Sequence, residues 1–192
     1  MIDYNKIATA VEHYSKLNYK YIEVPWLVSK LSMAITAPPN VRLFSTFAGE
    51  MVASGEQSFL EIREELMKAD GFPALFQCVT PCFRDESIKD DLHLQYFIKN
   101  ELIGVCHPSH DKHTEPWALI NYVIRNALAF FKKYAEDVNV VDSPQSNSII
   151  NHDITINGIE VGSYGYRHFG DFCWVYGTGC AEPRLSQVLA IK

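Results

Sequence analysis

The fold of this chain is decided by two extended segments, ALFQCVTPCFRDE (74–86) and HLQYFIKNELIG (93–104). Branched and aromatic residues, which favour strands, are frequent in both segments. Because the stretch between them, SIKDD (87–91), is polar, the pattern predicts an antiparallel hairpin with a long loop. Alternate side chains of a strand share a face. The hairpin is therefore expected to present two rows: Thr80, Cys82, Arg84 and Glu86 on the first strand, and His93, Gln95, Phe97, Lys99 and Glu101 on the second.

These rows carry chemistry that an apolar sheet face would not need. A guanidinium such as that of Arg84 binds phosphate, a carboxylate such as that of Glu86 accepts an amino group, and the ring of Phe97 offers a stacking surface for a purine. The pattern favours a nucleotide platform. It is equally compatible with a solvated sheet face that carries cross-strand ion pairs, and the hairpin alone leaves both interpretations open.

A second hairpin is predicted around Asn157-Gly158, because this dipeptide favours a two-residue turn between strands over 149–156 and 159–166. Such a turn pairs Thr155 with Glu160, Ile154 with Val161, and Asp153 with Gly162. The two acids, Asp153 and Glu160, would then share a polar face and suit Mg²⁺, which prefers oxygen ligands. An exposed hairpin face without a ligand is the alternative interpretation.

The third candidate is the run GTGCAEPR (177–184), which follows a predicted strand over 172–176. Its small residues allow close approach between elements, and Pro183 suits the first turn of a helix. With Arg184 beside it, this helix start is expected to attract anions. Glycine-rich turns between strand and helix are common, so this run by itself is a weak indication.

The other segments predict a single α+β domain over residues 1–192, with a mostly antiparallel sheet flanked by helices. The expected elements are an opening helix capped by Asp3, a strand over 21–28 interrupted by Pro25, a strand over 41–47, a helix from Ser58 to near Gly71, and a long helix over 117–134.

Composition narrows the classes of function. A net charge of −6 argues against a protein whose main function is to bind the phosphate backbone of a nucleic acid. The sequence contains no apolar run long enough to span a bilayer, and its first residues lack the signal-peptide pattern. Five scattered cysteines indicate reduced thiols and a cytoplasmic protein. The histidines at 107, 110 and 113 are interpreted as part of a solvated loop rather than as metal ligands.

Taken together, the three candidates resemble the motifs of the class II aminoacyl-tRNA synthetases. The run 83–86, with His93, Phe97 and Glu101 downstream, is similar to motif 2, and the run 177–185 resembles motif 3 with Ala181 in place of a glycine. The run 21–25 is similar to motif 1. The runs similar to motifs 1, 2 and 3 occur in the order that the family shows, and together they span nearly the whole chain.

The resemblance implies a role for each matching residue in binding ATP. Arg84 would hold the α-phosphate and the carboxylate of the substrate, and Arg184 would hold the γ-phosphate, so these two are the candidate catalytic residues. Glu86 would read the adenine amino group, Phe97 would stack on adenine, and His93 would lie near the outer phosphates.

The remaining assignments concern magnesium and the acid substrate. Glu160 falls where the family places an acid for Mg²⁺ and ATP, with Asp153 as a second candidate ligand and Gly179 as a further ATP contact. The loop that contains Glu56 and Gln57 resembles the segment that contacts a substrate ammonium. Candidate substrate contacts are Glu56, Gln57, Ser163 and Gly177.

The function implied is ATP-dependent activation of an amino acid, or a related carboxylic acid, to an acyl-adenylate with release of pyrophosphate. The acyl group would pass to a small acceptor or carrier, and the protein is expected to be a homodimer. A catalytically silent paralogue that senses ATP or an amino acid is the alternative, because Tyr96 and Pro183 depart from the family's pattern. Transfer to tRNA is less favoured, since 192 residues leave no room for an anticodon-binding domain and the charge is acidic.

Overall fold

The computed structural model describes residues 1–37, 42–85, 92–106, 115–143 and 149–191. The helices in these ranges are α1 (Tyr4–Ser15), α2 (Lys30–Thr36), α3 (Gly55–Glu61), α4 (Arg63–Leu66), α5 (Glu115–Phe131) and α6 (Arg184–Ala190). The strands are β1 (Lys20–Tyr21), β2 (Leu27–Val28), β3 (Ser45–Thr46), β4 (Gly49–Met51), β5 (Ala74–Phe83), β6 (Tyr96–Val105), β7 (Val138–Asp142), β8 (Ile150–Ile156), β9 (Ile159–Phe169) and β10 (Phe172–Glu182).

A seven-stranded sheet forms the centre of the described part of the chain, in the order β1-β5-β6-β10-β9-β8-β7. Every pairing in it is antiparallel except that of β1 with β5. A small sheet of order β2-β4-β3 lies apart from it. The expectation of an α+β domain with a mainly antiparallel sheet is therefore confirmed.

The two faces of the large sheet are packed differently. On one face, α1, α5 and α6 cover a large apolar cluster that includes Tyr14, Phe130 and Val175. On the other, α3 and α4 cover a smaller cluster that includes Phe59 and Trp174. The smaller cluster lies toward one end of β6 and β10, which leaves the rest of that face available for a site.

The predicted hairpin of motif 2 is confirmed as β5 and β6, paired residue by residue from Ala74 opposite Val105 to Phe83 opposite Tyr96. The opening helix is also confirmed, because the Asp3 carboxylate accepts the backbone N–H groups of Asn5 and Lys6 at the start of α1.

Several expected boundaries were wrong. The helix expected from Ser58 begins at Gly55, because the Ser54 side chain caps it and the Gln57 side chain returns to the backbone N–H of Ser54. The strand expected over 41–47 is reduced to β3 and one bridge between Arg42 and Asp85. The strand expected over 21–28 is divided at Pro25 into β1 and β2, which belong to different sheets.

The turn of the second hairpin is confirmed, since Asn157 and Gly158 both adopt positive φ, at 52° and 77°. Thr155 lies opposite Glu160 as expected. The next two predicted pairs were wrong, because Ile154 lies opposite Gly162 and Asp153 opposite Ser163. A β-bulge places an extra residue on β9 and shifts the register by one, which a sequence pattern does not reveal.

The last strand is longer than expected. Residues 177–182 continue β10 rather than forming a turn, with an irregularity between Thr178 and Cys180, and α6 begins at Arg184. All five cysteines are free and buried, in agreement with the expectation of reduced thiols. Among the described residues, no helix combines the length and the apolar character that crossing a bilayer requires.

Candidate functional site

A cavity of about 460 Å³ opens on the face of the large sheet that α1 and α5 do not cover. Strands β6, β9 and β10 form its base, and the start of α3 and the start of α6 form its walls. Most of the sequence-predicted site residues line it together: Glu56, Gln57, Arg84, His93, Phe97, Glu160, Ser163 and Arg184. The fold thus brings residues from across 129 positions of the chain, 56 to 184, into one concave surface.

Two predicted glycines are not among the residues that line the cavity. A Cβ atom on Gly177 would lie 2.6 Å from Cδ1 of Tyr164, and one on Gly179 would lie 2.0 Å from Oδ1 of Asn100. Both positions therefore need glycine for close packing, and their contacts with a ligand remain predictions. Glu86 lies outside the described residues.

Arg84 stands at the end of β5, where the hairpin opens. Its backbone N–H donates to the carbonyl of Gln95, and its Nε donates to the carbonyl of Ala53 at 2.9 Å. The guanidinium carbon lies 5.2 Å from the centre of the Phe97 ring, which is within reach of a cation–π contact. The positively charged group and the ring therefore occupy the same end of the cavity.

Arg184, at the start of α6, is held by two backbone carbonyls. Its Nε donates to the carbonyl of Glu160 at 2.9 Å, and its Nη1 donates to the carbonyl of Leu92 at 2.8 Å. These bonds orient the guanidinium without neutralising it, since carbonyl groups carry no net charge. The arrangement suits an anion in the cavity.

Glu160 faces the cavity mouth, with Asp153 close enough for the two charges to interact. Partial desolvation raises the pKa of Glu160, and the charge of Asp153 raises it further, against the opposing charges of Arg184, Arg84 and Lys99. Two carboxylates whose charges disfavour each other fit a cation, and Mg²⁺ is commonly bound by one or two carboxylates plus the phosphates of a substrate.

No group of three or more His, Cys, Asp or Glu side chains in the described ranges is arranged to hold a metal ion. A site built from Asp153 and Glu160 would therefore need ligands from the substrate. Asp153 is not among the cavity-lining residues, so Glu160 is the better placed of the two.

The start of α3 forms one wall of the cavity, and its polar side chains already have hydrogen-bond partners. The Gln57 carbonyl oxygen accepts the backbone N–H groups of Ala53 and Ser54 at 2.8 and 3.0 Å, which gives this side chain a capping role. The Glu56 carboxylate accepts Nη1 of Arg167 at 2.6 Å and the indole N–H of Trp174 at 2.7 Å.

Opposing effects act on the pKa values of this pair. Burial raises the pKa of Glu56, while Arg167 and the bond from Trp174 oppose that shift. Burial acts to lower the pKa of Arg167, but the charge of Glu56, its hydrogen bond and the nearby Tyr176 and Glu101 together outweigh burial, so the pKa of Arg167 stands above its ordinary value.

Sequence reasoning assigned no site role to several cavity residues. Lys99 forms an ion pair of 2.9 Å with Glu101, which also accepts the hydroxyl of Ser54, and the alternation that picked out Phe97 could have indicated both. Arg167 and Tyr176 gave no comparable signal. They meet in the cavity only because β9 and β10 pair in the observed register.

The charge of the cavity differs from that of the chain. The protein has a net charge of −6, yet Arg84, Lys99, Arg167 and Arg184 all line this one surface. Buried polar atoms of three lining residues, Thr36, Arg167 and Gln187, have no hydrogen-bond partner. A cationic cavity with unsatisfied polar atoms is typical of a binding site for an anionic ligand.

Comparisons with known proteins concern the sequence first. No protein-family model matches the chain. Over 111 residues it is 29% identical to the serine–tRNA ligase of Dechloromonas aromatica (strain RCB), a match that covers 50% of this chain and 26% of that protein.

Solved structures resemble nearly the whole chain. The seryl-tRNA synthetase of Pyrococcus horikoshii, complexed with ATP, matches 95% of the chain with a TM-score of 0.74 and 18% identity. The cytoplasmic serine-tRNA ligase of Naegleria fowleri, in complex with AMP, matches 96% with a TM-score of 0.71 and 16% identity. The pyrrolysyl-tRNA synthetase of Desulfitobacterium hafniense matches 96% with a TM-score of 0.74 and 16% identity.

The chain covers 48% and 52% of the two seryl enzymes and 68% of the pyrrolysyl enzyme. Identity at this level shows the fold alone. The runs that resemble motifs 2 and 3 contribute Arg84, Pro183 and Arg184 to the cavity lining, whereas no residue of the run 21–25 is among the residues that line it. The chain therefore has the fold of the catalytic domain of the class II aminoacyl-tRNA synthetases.

Proposed function

We propose that this protein uses ATP to activate an amino acid, or a related carboxylic acid, as an acyl-adenylate with release of pyrophosphate. The observation that carries the proposal is the convergence of Arg84, Phe97, Glu160 and Arg184 on one cavity of a class II synthetase fold. Each of these residue types has a separate task in binding ATP, and few other ligands would need all four together.

The position of each group supports the way in which ATP would lie. Adenine would stack on Phe97, with Glu86 reading its amino group, and Arg84 beside the ring would meet the α-phosphate. Arg184, held by two backbone carbonyls, would meet the γ-phosphate, with His93 near the outer phosphates. That two of the similar structures hold ATP and AMP supports the same nucleotide here.

The reaction requires the protein mainly to supply positive charge and to position the reacting groups. An oxygen of the substrate carboxylate attacks the α-phosphorus, a new P–O bond forms, and the bond to pyrophosphate breaks. Arg84 would stabilise the charge on the α-phosphate oxygens and orient the carboxylate, and Arg184 would hold the leaving pyrophosphate. Mg²⁺ bound by Glu160 and Asp153 would supply further positive charge to the phosphates. No nucleophilic side chain is required.

The acyl group is proposed to pass to a small acceptor or carrier, and the protein to act in the cytoplasm as a homodimer. The acidic net charge of the chain disfavours a tRNA acceptor, because tRNA binding normally requires a basic surface. A second candidate is a catalytically silent protein that senses ATP or an amino acid. The departures at Tyr96 and Pro183 from the motif pattern favour it.

Amino-acid-dependent ATP–pyrophosphate exchange tests the proposal. We expect exchange with at least one of the twenty common amino acids, and ATP binding measured separately by titration calorimetry. ATP binding without exchange for any acid would contradict the enzyme and support the sensor. Absence of both, together with no binding of any of the amino acids, would contradict the two candidates together.

A further inference from the structure

The substrate end of the cavity is closed by four side chains that bind one another. Arg167 on β9 lies opposite Trp174 on β10, and Tyr176 lies two pairs further along. The Arg167 guanidinium carbon is 4.4 Å from the centre of the Tyr176 ring, and its Nη1 donates to Glu56 at 2.6 Å. Because the Trp174 indole donates to the other oxygen of Glu56, the start of α3 is fastened to both strands.

The region behind these four side chains is closely packed. Trp174 is fully buried and stacks on Phe172, with ring centres 5.1 Å apart, and Phe59 and Leu60 of α3 complete the same apolar cluster. Side chains at this density leave no room for a longer ligand. The Arg167 side chain, which is 15% exposed, is therefore the last surface that a substrate meets at this end.

The charges at the closed end cancel in pairs. Glu56 is neutralised by Arg167 at 2.6 Å, and Glu101 is neutralised by Lys99 at 2.9 Å. A charged substrate side chain would have to compete with the partners of these pairs for a counter-ion, and burial of an unpaired charge is strongly unfavourable. The pocket therefore suits an uncharged side chain.

The reach of the chain limits the distance available to that side chain, because three residues span at most about 11 Å. Arg84, which under the proposed function holds the substrate carboxylate, donates to Ala53, and Glu56 follows only three residues later. The surface between Arg84 and Glu56 is lined by small residues, namely Ala53, Ser54, Ser163 and Thr178. Arg167 lies at the end of this surface. Because each oxygen of a carboxylate can accept two hydrogen bonds, Glu56 keeps the capacity to receive a substrate ammonium.

We propose that Arg167 sets the size limit of the substrate: held across the closed end by Glu56 and Tyr176, it admits an α-amino acid with a small uncharged side chain and excludes longer or charged ones. This inference rests on the proposed function for the position of the carboxylate. It assigns Arg167 a role in specificity that neither the motifs nor the comparisons indicate.

The test compares the wild type with Arg167→Ala across glycine, alanine, serine, valine, leucine, glutamate and lysine. The wild type is expected to activate only the first three. Because one methylene in a pocket changes kcat/KM by roughly 10- to 200-fold, Arg167→Ala should raise the leucine-to-alanine ratio of kcat/KM by at least about tenfold. Arg167→Gln, which retains a donor to Glu56, serves if the alanine variant does not fold.

The matched control is Arg125→Ala. Arg125 also lies over a tyrosine, 5.5 Å from the ring centre of Tyr122, but on α5 and outside the cavity lining. This variant should keep the wild-type ranking of acids. An unchanged ranking in both Arg167 variants, or efficient activation of leucine by the wild type, would overturn the inference.

A binding series separates failure of the inference from failure of the proposed function. The same acids are added with ATP, and thermal stabilisation of the wild type and of both Arg167 variants is measured. If exchange is absent but only small acids stabilise the wild type and leucine stabilises the variants, the inference holds without catalysis. If leucine stabilises the wild type as much as alanine does, or if no acid stabilises any form, the inference is wrong.

Discussion

Strand β10 separates two regions of the protein, one packed against helices and the other facing the cavity. All eleven of its residues are buried. Toward α1 and α5 it presents Val175, Gly177 and Cys180, which pack without gaps against helices. Toward the cavity it presents Tyr176, Thr178 and Ala181, which surround open space.

This contrast between the two sides of β10 indicates which residues can be changed without loss of the fold. On the helix side the contacts are apolar and close, so stability depends on shape. On the cavity side the charged groups are held by one or two hydrogen bonds to carbonyls or by ion pairs, so their loss should alter binding more than folding. The predictions below test this division in order of decreasing effect.

The largest effect is expected at Arg84. We predict that Arg84→Ala lowers amino-acid-dependent pyrophosphate exchange by roughly 10²- to 10³-fold, the size of loss seen when one preorganised donor to a reacting oxyanion is removed. Its midpoint in urea should change little.

Arg63→Ala is a matched control for that variant. Arg63 also donates to a backbone carbonyl, that of Leu60 at 2.8 Å, and also lies over a phenylalanine ring, that of Phe169 at 5.8 Å, but it does not line the cavity. Full exchange in Arg84→Ala, or an equal loss in Arg63→Ala, would show that the cavity does not act as proposed.

The second prediction concerns the helix side of β10. Gly179→Ala places a Cβ atom 2.0 Å from Oδ1 of Asn100 and 2.8 Å from Cε2 of Tyr14. We expect the free energy of unfolding to fall by about 2 to 3 kcal/mol, the upper range for overpacking in a core. Chemical denaturation measures it.

Gly158→Asn provides the comparison for Gly179→Ala. Gly158 has a φ of 77° and no neighbouring atom within 4 Å of a Cβ, and asparagine tolerates this conformation. This variant should retain nearly all of the stability. Equal losses in both variants would mean that close packing under the helices is not what requires Gly179.

The third prediction concerns pH and magnesium. Because the pKa of Glu160 is raised, this carboxyl binds a proton at a higher pH than an ordinary one as the solution is acidified, and protonation removes a metal ligand. Magnesium-dependent affinity for ATP should therefore weaken on acidification earlier than an ordinary carboxyl would cause.

Glu160→Gln should remove that pH dependence and lower the magnesium-dependent affinity roughly tenfold. It should leave stability at neutral pH unchanged or slightly raised, because a carboxyl with a raised pKa opposes folding once it is ionised. Calorimetric titrations with ATP at several pH values, with and without Mg²⁺, measure both effects. The same magnesium dependence in wild type and variant would contradict the assignment.

The smallest effect is expected at Tyr14. Its hydroxyl donates to the carbonyl of Gly179 at 3.0 Å in the buried helix-side region. Tyr14→Phe should lower the free energy of unfolding by about 1 kcal/mol and leave exchange unchanged. Tyr4→Phe, at an exposed position of α1, is the control. A change in substrate affinity with Tyr14→Phe would show that the two faces of β10 are coupled.

Much of the fold followed from local patterns. The hairpin of β5 and β6, the cap at Asp3 and the turn at Asn157-Gly158 were predictable because each depends on residues close together in sequence. The boundaries that failed, at Gly55 and in the pairing of Ile154, depend on a capping interaction and a bulge, which arise from hydrogen bonds that alternation does not encode.

The candidate site divides in the same way. Arg84 and Phe97 were indicated by their rows in a hairpin, and Glu160 and Arg184 by motifs, so their presence in one cavity agrees with the expectation. The bonding of Glu56 by Arg167 and Trp174 was not predictable, because these residues are more than 100 positions apart.

From the amino-acid sequence alone, the hairpin of β5 and β6 and the turn at Asn157-Gly158 were predictable, because both depend on side-chain alternation and short-range turn geometry. Three features required the tertiary structure: the glycines of β10 face the helices, Arg167 lies at one end of the cavity, and an acidic chain places Arg84, Arg167 and Arg184 in that one cavity. Those features depend on the register between distant strands, where a shift of one residue exchanges the two faces of the sheet.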